Sequence, residues 1–284
     1  MILVEFVNDM GRVHLHGDGR GPWNITDITG LGLTTKAFNV VTYPGQQGQQ
    51  TISAVNNARI ITIKGDIYTE DGSPAHFLLP KAMKVLNVPG QLIVHGNTVR
   101  RKINAHCTAF EQGERNGPYH SFVIQFTCDN PFFEGYKATQ VSVFYRENLI
   151  KQVLKLPMVF SRRVSRADIN NIGDVDTEPV FIIQTMGVSD SGSNDGIEII
   201  NHTTNQRILL EYNPSIGETV RVDIPERKIY NDAGVNLIDK ISLDTFLSDF
   251  WLQTGRNDVE VINHAGPYCS VLCEYTNKYI EAVI

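Results

Sequence analysis

Few side chains in this 284-residue sequence stand at spacings that could do chemistry, and each such group has a plain structural reading beside it. His14 and His16 lie two apart in a short apolar run, so a strand would project both imidazoles from one face, as a metal site requires. No third ligand is near in sequence, and two strand histidines are expected. Asp190, Asn194, Asp195 and Glu198 surround glycines and offer the flexible oxygens that a hard cation takes. Their spacing is not that of an EF-hand, which leaves a solvated hairpin loop. Glu111 with Glu114, and Asp244 with Asp249, are the acid pairs that glycoside hydrolysis would have to hold across a cleft. Both pairs stand in polar segments, as surface acids do. No GxSxG, HExxH or GxxxxGK(S/T) motif occurs, and the glycine-rich Gly17 to Pro22 lacks the helix that a phosphate cradle uses. The sequence therefore predicts a non-enzyme, with no catalytic, metal or cofactor-binding residues.

Aromatic rings could stack on sugars, and Trp251, Tyr212, Tyr230, Tyr268 and Tyr275 all fall in the second half. Trp251 is flanked by Phe250 and Leu252, so a core or half-buried position is the stronger expectation. A carbohydrate-binding module for host-surface adhesion is accordingly the alternative function. Cys107, Cys128, Cys269 and Cys273 form no CxxC pair and have no clustered histidines, against both a zinc site and a disulfide-dense scaffold. Cys269 and Cys273, four apart in an apparent strand, share a face but sit too far apart to bond. Reduced, buried thiols are expected.

The scaffold for these groups is an ordinary globular one, 42% hydrophobic and 20% charged, long enough for two domains. The opening residues show no basic region followed by an apolar run and cleavage site, and no stretch approaches the roughly 18 to 20 apolar residues of a membrane span. A soluble protein made in the bacterial cytoplasm, without membrane insertion, is the expectation. The net charge of −6 is uneven: residues 1–150 carry 13 Lys/Arg and 12 Asp/Glu, residues 151–284 carry 12 and 19. A duplex-gripping protein needs cations to neutralise phosphates, so specific nucleic-acid binding is not expected. DNA could still pass such a near-neutral first half.

Short β-branched or alternating runs dominate: 60–67, 91–95, 121–128, 180–185, 196–200, 219–224 and 258–262, each bounded by Gly, Pro, Asn or Asp. Tight turns are expected at Glu70-Asp71-Gly72, Asn116-Gly117-Pro118, Asn194-Asp195-Gly196 and Asn231 to Gly234. One helix is expected over Ala75 to Asn87, starting late because of Pro80, and a short helical turn over Leu243 to Phe250 before a strand at Trp251-Leu252. The strand-like Lys151 to Phe160 marks the seam between domains 1–150 and 151–284. Residues 162–177 are the least patterned and are expected to cross the surface.

In that order of segments the whole chain resembles the distal tail protein family of long-tailed, non-contractile phages. The resemblance rests on Trp23 to Leu31 (WNITDITGL), Tyr43 to Gly48 (YPGQQG), Ala58 to Gly65 (ARIITIKG) and Phe122 to Phe133 (FVIQFTCDNPFF) in the first half. In the second it rests on Asn170 to Pro179 (NNIGDVDTEP), Thr219 to Ile224, the Asn231 to Gly234 turn and Phe250 to Val259 (FWLQTGRNDV). It implies a mostly β, two-domain fold: an N-terminal β-sandwich or split-barrel-like domain with one helix, which forms the ring, and a C-terminal galectin-like β-sandwich. It also implies a hexameric ring hub at the virion tail tip of a phage or prophage. Its partners would be the major tail tube protein, a tail-associated lysin or fibre hub, and receptor-binding proteins on the outer sandwiches. No catalytic residues come with the family. A closed ring needs two different patches on each subunit, and the Gln-rich residues 36–58 suit an arm reaching a neighbour.

Overall fold

The structure is a computed structural model and describes residues 2–45, 47–68, 78–116, 118–148, 161–186, 196–264 and 269–282. Its regular elements are mostly strands, many with alternating burial, as in Arg59–Tyr68, where every second residue from Arg59 to Ile67 is buried. The chain forms two compact units, Met1–Tyr136 with Tyr279–Ile284, and Lys137–Lys278.

In chain order the first unit carries β1 (Leu3–Asn8), β2 (Gly11–His16), β3 (Trp23–Thr29), β4 (Lys36–Val41), β5 (Gln50–Asn56), β6 (Arg59–Tyr68), α1 (Leu79–Leu86), β7 (Gly90–His95), β8 (Arg100–Asn116), β9 (Tyr119–Cys128) and β10 (Phe133–Gly135). The order β8-β7-β1-β2-β3-β6-β9 returns to β8, closing a seven-stranded barrel. Closure pairs the edges that an open sheet would expose, except at the β2–β3 seam, which a single parallel pair, His16↔Asn24, joins. The interior is filled by Val4, Phe6, Ile61, Ile63, Ile124 and Phe126 among others, with the Phe6 and Phe126 rings 5.0 Å apart.

α1 buries Ala82, Val85 and Leu86 into this core. Pro80 falls in its first turn, where the missing N–H has no helical partner to lose. The Asn8 amide donates to the carbonyls of Val85 (2.7 Å) and Val88 (2.9 Å), satisfying groups at the helix end. Gly11, at φ +138°, faces Val85; a Cβ there would meet the Val85 Cγ2 at 3.3 Å.

The second unit carries β11 (Thr139–Asn148), β12 (Ser161–Val164), β13 (Arg166–Asn171), β14 (Val180–Thr185), β15 (Ile197–Asn201), β16 (Gln206–Leu210), β17 (Thr219–Asp223), β18 (Lys228–Asn231), β19 (Gly255–Asn263) and β20 (Cys269–Tyr275). These make a six-stranded sheet, β12-β11-β20-β14-β17-β18, and a four-stranded sheet, β13-β19-β15-β16. Inward residues of both, such as Phe181, Val222, Ile199 and Val261, share one core, so the unit is a β-sandwich.

The mostly β fold with one helix follows the sequence reading, and the first unit takes the barrel form. Four particulars differ. The units part at Tyr136/Lys137 rather than 150/151, because β11 pairs with β20 along Thr139↔Tyr275 to Phe144↔Val271. The chain end also rejoins the first unit, so that the second is inserted in it. Residues 162–177, expected as a surface crossing, contain β13, whose Ile169 is wholly buried. The expected Lys151 to Phe160 strand and the turn at Glu70-Asp71-Gly72 lie outside the described residues, as do Ala75 to Phe77 at the start of the expected helix, Gly117, Asn194 and Asp195. The Asn231 to Gly234 turn is present, with the Gly234 N–H on the Asn231 carbonyl at 2.9 Å. Over Leu243 to Phe250 there is one turn of 3-10 helix, Leu247–Asp249. The strand expected at Trp251-Leu252 reduces to a single bridge, Leu252↔Thr177.

Candidate functional site

The groups with chemical potential are held apart. His14 and His16 do project from one face of β2, with ring centroids 6.1 Å apart, but His14 faces Glu5 (3.4 Å) and His16 faces Asp18 (3.7 Å). Among the described residues no three His, Cys, Asp or Glu side chains are grouped to hold a metal. Of the calcium-like set only Glu198 is described, and it pairs with Arg207 (3.4 Å) and His264 (2.8 Å). Glu111 and Glu114 are exposed on β8. Asp244 pairs with Arg207 at 2.7 Å, whereas Asp249 accepts from the Ser248 hydroxyl.

Cys128, Cys269 and Cys273 are buried, and Cys107 is half-buried. Burial pushes the Cys128 thiol up to about 12 against the opposing pull of the Arg59 cation, so it stays protonated and unreactive. Tyr275 is buried with its hydroxyl on the Asn170 carbonyl (2.9 Å), and Tyr212 donates to Glu218 (2.8 Å). Tyr268 lies outside the described residues. Trp251 takes the half-buried form of the expectation rather than a core one. Phe250 and Leu252 are wholly buried, but Trp251 itself is 37% exposed. Its backbone is pinned by Gln206, which accepts from its N–H, and by the buried Asn201 amide, which donates to its carbonyl, both at 3.0 Å.

The largest departure from a self-sufficient surface is β4 and β5. Among the described residues they pair only with each other, from Lys36↔Asn56 to Val41↔Gln50, with a bulge between Asn39 and Val40. Opposite residues share a face, so Phe38 with Ala54 lies on one side and Ala37 with Val55 on the other. Neither side is covered: Phe38 is 57% exposed, Val55 60% and Ile52 68%. A lone two-stranded ribbon is marginal in water, and both of its outer edges present unpaired amides and carbonyls. It is an arm whose apolar side chains are left exposed.

The arm has a rigid root. Arg59, three residues past β5, is only 2% exposed. Its guanidinium donates to the carbonyls of Gly30, Gly32, Pro131 and Ile280, each at 2.6 Å, and lies over the Phe133 ring at 4.6 Å. Burial lowers its pKa from the usual value, yet it remains far above neutrality and charged. Arg101 repeats the arrangement, donating to the Glu281 carbonyl and stacking on Tyr279 at 3.8 Å. The Ala282 N–H reaches the Leu31 carbonyl at 2.9 Å. Thus the loop leading to β4, the strand leaving β5 and the end of the chain are tied at one point.

Residues 172–279 match the family of siphovirus-type tail components, C-terminal domain. No curated protein matches the chain by sequence. Among solved structures, the chain is similar to the Dit protein (gp 19.1) of phage SPP1, described as a paradigm of the hub adsorption apparatus in phages infecting Gram-positive hosts. The TM-score is 0.65 at 11% identity, covering 98% of this chain and 99% of that one. It is also similar to a chain of the phage P2 baseplate in its activated conformation with calcium, at TM-score 0.55 and 11% identity over 96% and 98% of the two chains. The strontium form of that baseplate gives the same values.

Proposed function

We infer the function from likeness: residues 172–279 match the C-terminal domain of siphovirus-type tail components, and the whole chain is similar in fold to the Dit protein of phage SPP1. The protein serves as a hub in the baseplate of a phage tail, a structural role in which no catalysis is assigned. Six copies close into a ring through the first unit. On one side the ring joins the tail tube, and on the other a tail-associated lysin or fibre hub. Its opening passes the genome, for which a near-neutral first half is suited because it does not grip phosphates. The second unit, galectin-like in this reading, bears baseplate or receptor-binding proteins.

The observation that carries the ring is the β4–β5 arm, apolar on both faces, open at both edges and rooted rigidly at Arg59. A cyclic assembly needs a head-to-tail interface between unlike patches, and an arm laid on a neighbouring subunit supplies one of them. Negative-stain microscopy and light scattering of the purified chain, alone and with neighbouring tail proteins, test this. Six-fold rings that are lost when Gly45 to Gln50 is deleted support it. Monomers under every condition, or rings indifferent to the deletion, refute it.

A second reading, saccharide binding for host-surface adhesion, is favoured by the exposed Trp251 indole on a backbone fixed between two buried neighbours. A preformed ring face is what sugar stacking uses. Glycan-array binding abolished by Trp251→Ala, with unchanged folding, would establish it.

A further inference from the structure

The barrel wall is not paired evenly all round. β2 pairs with β1 from Leu3↔His16 to Asn8↔Gly11, but with β3 it shares one parallel pair, His16↔Asn24. Alternate residues of β2 therefore turn amide and carbonyl groups away from β1 towards a gap. A cavity of about 500 Å³ lies there, floored by Val13, Trp23, Ala82 and Val85. Arg12, His14, His16, Lys81 and Lys84 surround it, and among the described residues no carboxylate lines it. Among the described residues, the acids that reach Arg12, His14 and His16 are engaged more than once, Glu5 with Arg12, His14 and His95, and Asp18 with His16 and Arg20. Lys81 and Lys84 have no ion-pair partner among the described residues.

We propose that this slot receives an extended segment of a partner protein, added to β2 as a strand, with side chains that alternate between apolar and carboxylate. The alternation follows from β2 itself, where Val13 and Leu15 point into the core while Arg12, His14 and His16 point out. Side chains of an added strand keep step with those opposite. One set then meets Val13 and the apolar floor, and the other meets the outward side of β2, with Arg12, His14 and His16, and the Lys81 and Lys84 ammonium groups beside it. Backbone pairing gives affinity and the two rows give selectivity, as in other strand-addition sites. An acidic partner also fits because Lys81 and Lys84 gain counter-ions on binding. The inference does not depend on the ring, whose arm is a separate element.

The full-length protein is titrated with a fluorescein-labelled nine-residue peptide alternating Val and Glu, read by fluorescence anisotropy at low salt. Saturable binding is expected. It weakens at least tenfold for a peptide alternating Val and Lys, for a Val–Glu peptide N-methylated at alternate amides, and for the double variant Lys81→Glu/Lys84→Glu. Both lysines are exposed, and an unchanged thermal transition confirms that the variant folds. Amide exchange of residues 11–16 slows when the peptide is bound. Absence of saturation, or equal binding of the Val–Lys or N-methylated peptide, overturns the proposal. Protection of residues 11–16 that grows with protein concentration in the absence of peptide, and is lost in the double variant, also overturns it, because the occupant is then a second copy of the chain. Ring formation through the arm is unchanged in the double variant.

Discussion

Replacing Phe38, Ile52 and Val55 together by serine should dissolve the assembly while leaving the subunit folded. In the isolated chain these side chains are 57%, 68% and 60% exposed, so they contribute little to the stability of the subunit. Full burial of such a side chain is worth about 1.5–3 kcal/mol, and the exposed share of each scales this to about 1–2 kcal/mol. Burial of all three on a neighbour then amounts to about 3–5 kcal/mol per interface. At 1.4 kcal/mol per decade, the triple variant should weaken each contact by about two to four decades. Sedimentation velocity over a thousandfold range of protein concentration reads this as rings replaced by monomers, while denaturant unfolding of the monomer moves by less than about 0.5 kcal/mol. An unchanged sedimentation profile would refute the argument that the arm is the interface. Loss of the folded monomer would refute the claim that the arm is independent of the barrel core.

Arg59→Ala should destabilise the first unit by about 3 kcal/mol or more in urea unfolding, since four carbonyls lose a charged donor at once; Arg59→Lys should fail to restore it, because an ammonium cannot span them. Burial alone would raise the Glu218 pKa, but hydrogen bonds from Asn231 (2.9 Å), the Ser215 N–H (2.7 Å) and Tyr212 (2.8 Å) outweigh it and hold the carboxyl below its ordinary value. Its stabilising effect is therefore complete above the unfolded pKa and lost as pH falls through the folded one. Glu218→Gln should flatten that acid limb in a pH series of melting temperatures. Iodoacetamide at pH 8, followed by mass mapping, should leave Cys128 and Cys273 unmodified in the native protein, with Cys107 the first of the four to react.

The sequence was most readable where an element is bounded and inward-facing on its own terms. Val180–Thr185 follows Pro179 and is β-branched or aromatic through four residues, so β14 is apparent to the residue. β8 is not, because Arg100 to Lys102 at one end and Glu111 to Glu114 at the other look like loop; pairing with both β7 and β9 overrides local preference. β13 hides for a related reason. It offers mainly Ile169 to the core and is paired with β19 by its backbone, with the charged side chains Arg166 on Asp258 and Asp168 on Arg256 facing out, so its sequence reads as polar surface. The arm was partly visible as Gln-rich sequence, but the exposure of apolar side chains on both faces depends on which strands remain unpaired. Arg59 gave no signal at all, since its four acceptors lie far from it along the chain. The slot beside β2 is likewise a property of pairing, where β2 is fully paired with β1 on one side and shares a single pair with β3 on the other.

The tie between Arg59 and Ile280 spans 221 residues, and it sets an order on biosynthesis. The whole inserted sandwich must leave the ribosome before the barrel can gain its last contacts at residues 280–282. A nascent chain can fold its second unit while the first still lacks its clasp. Such long-range closure is slow to nucleate, and it delays the finished arm root until synthesis has passed residue 282. Truncated translation products would then lack a completed root from which to present the arm, so the fold itself withholds unfinished subunits from a growing assembly.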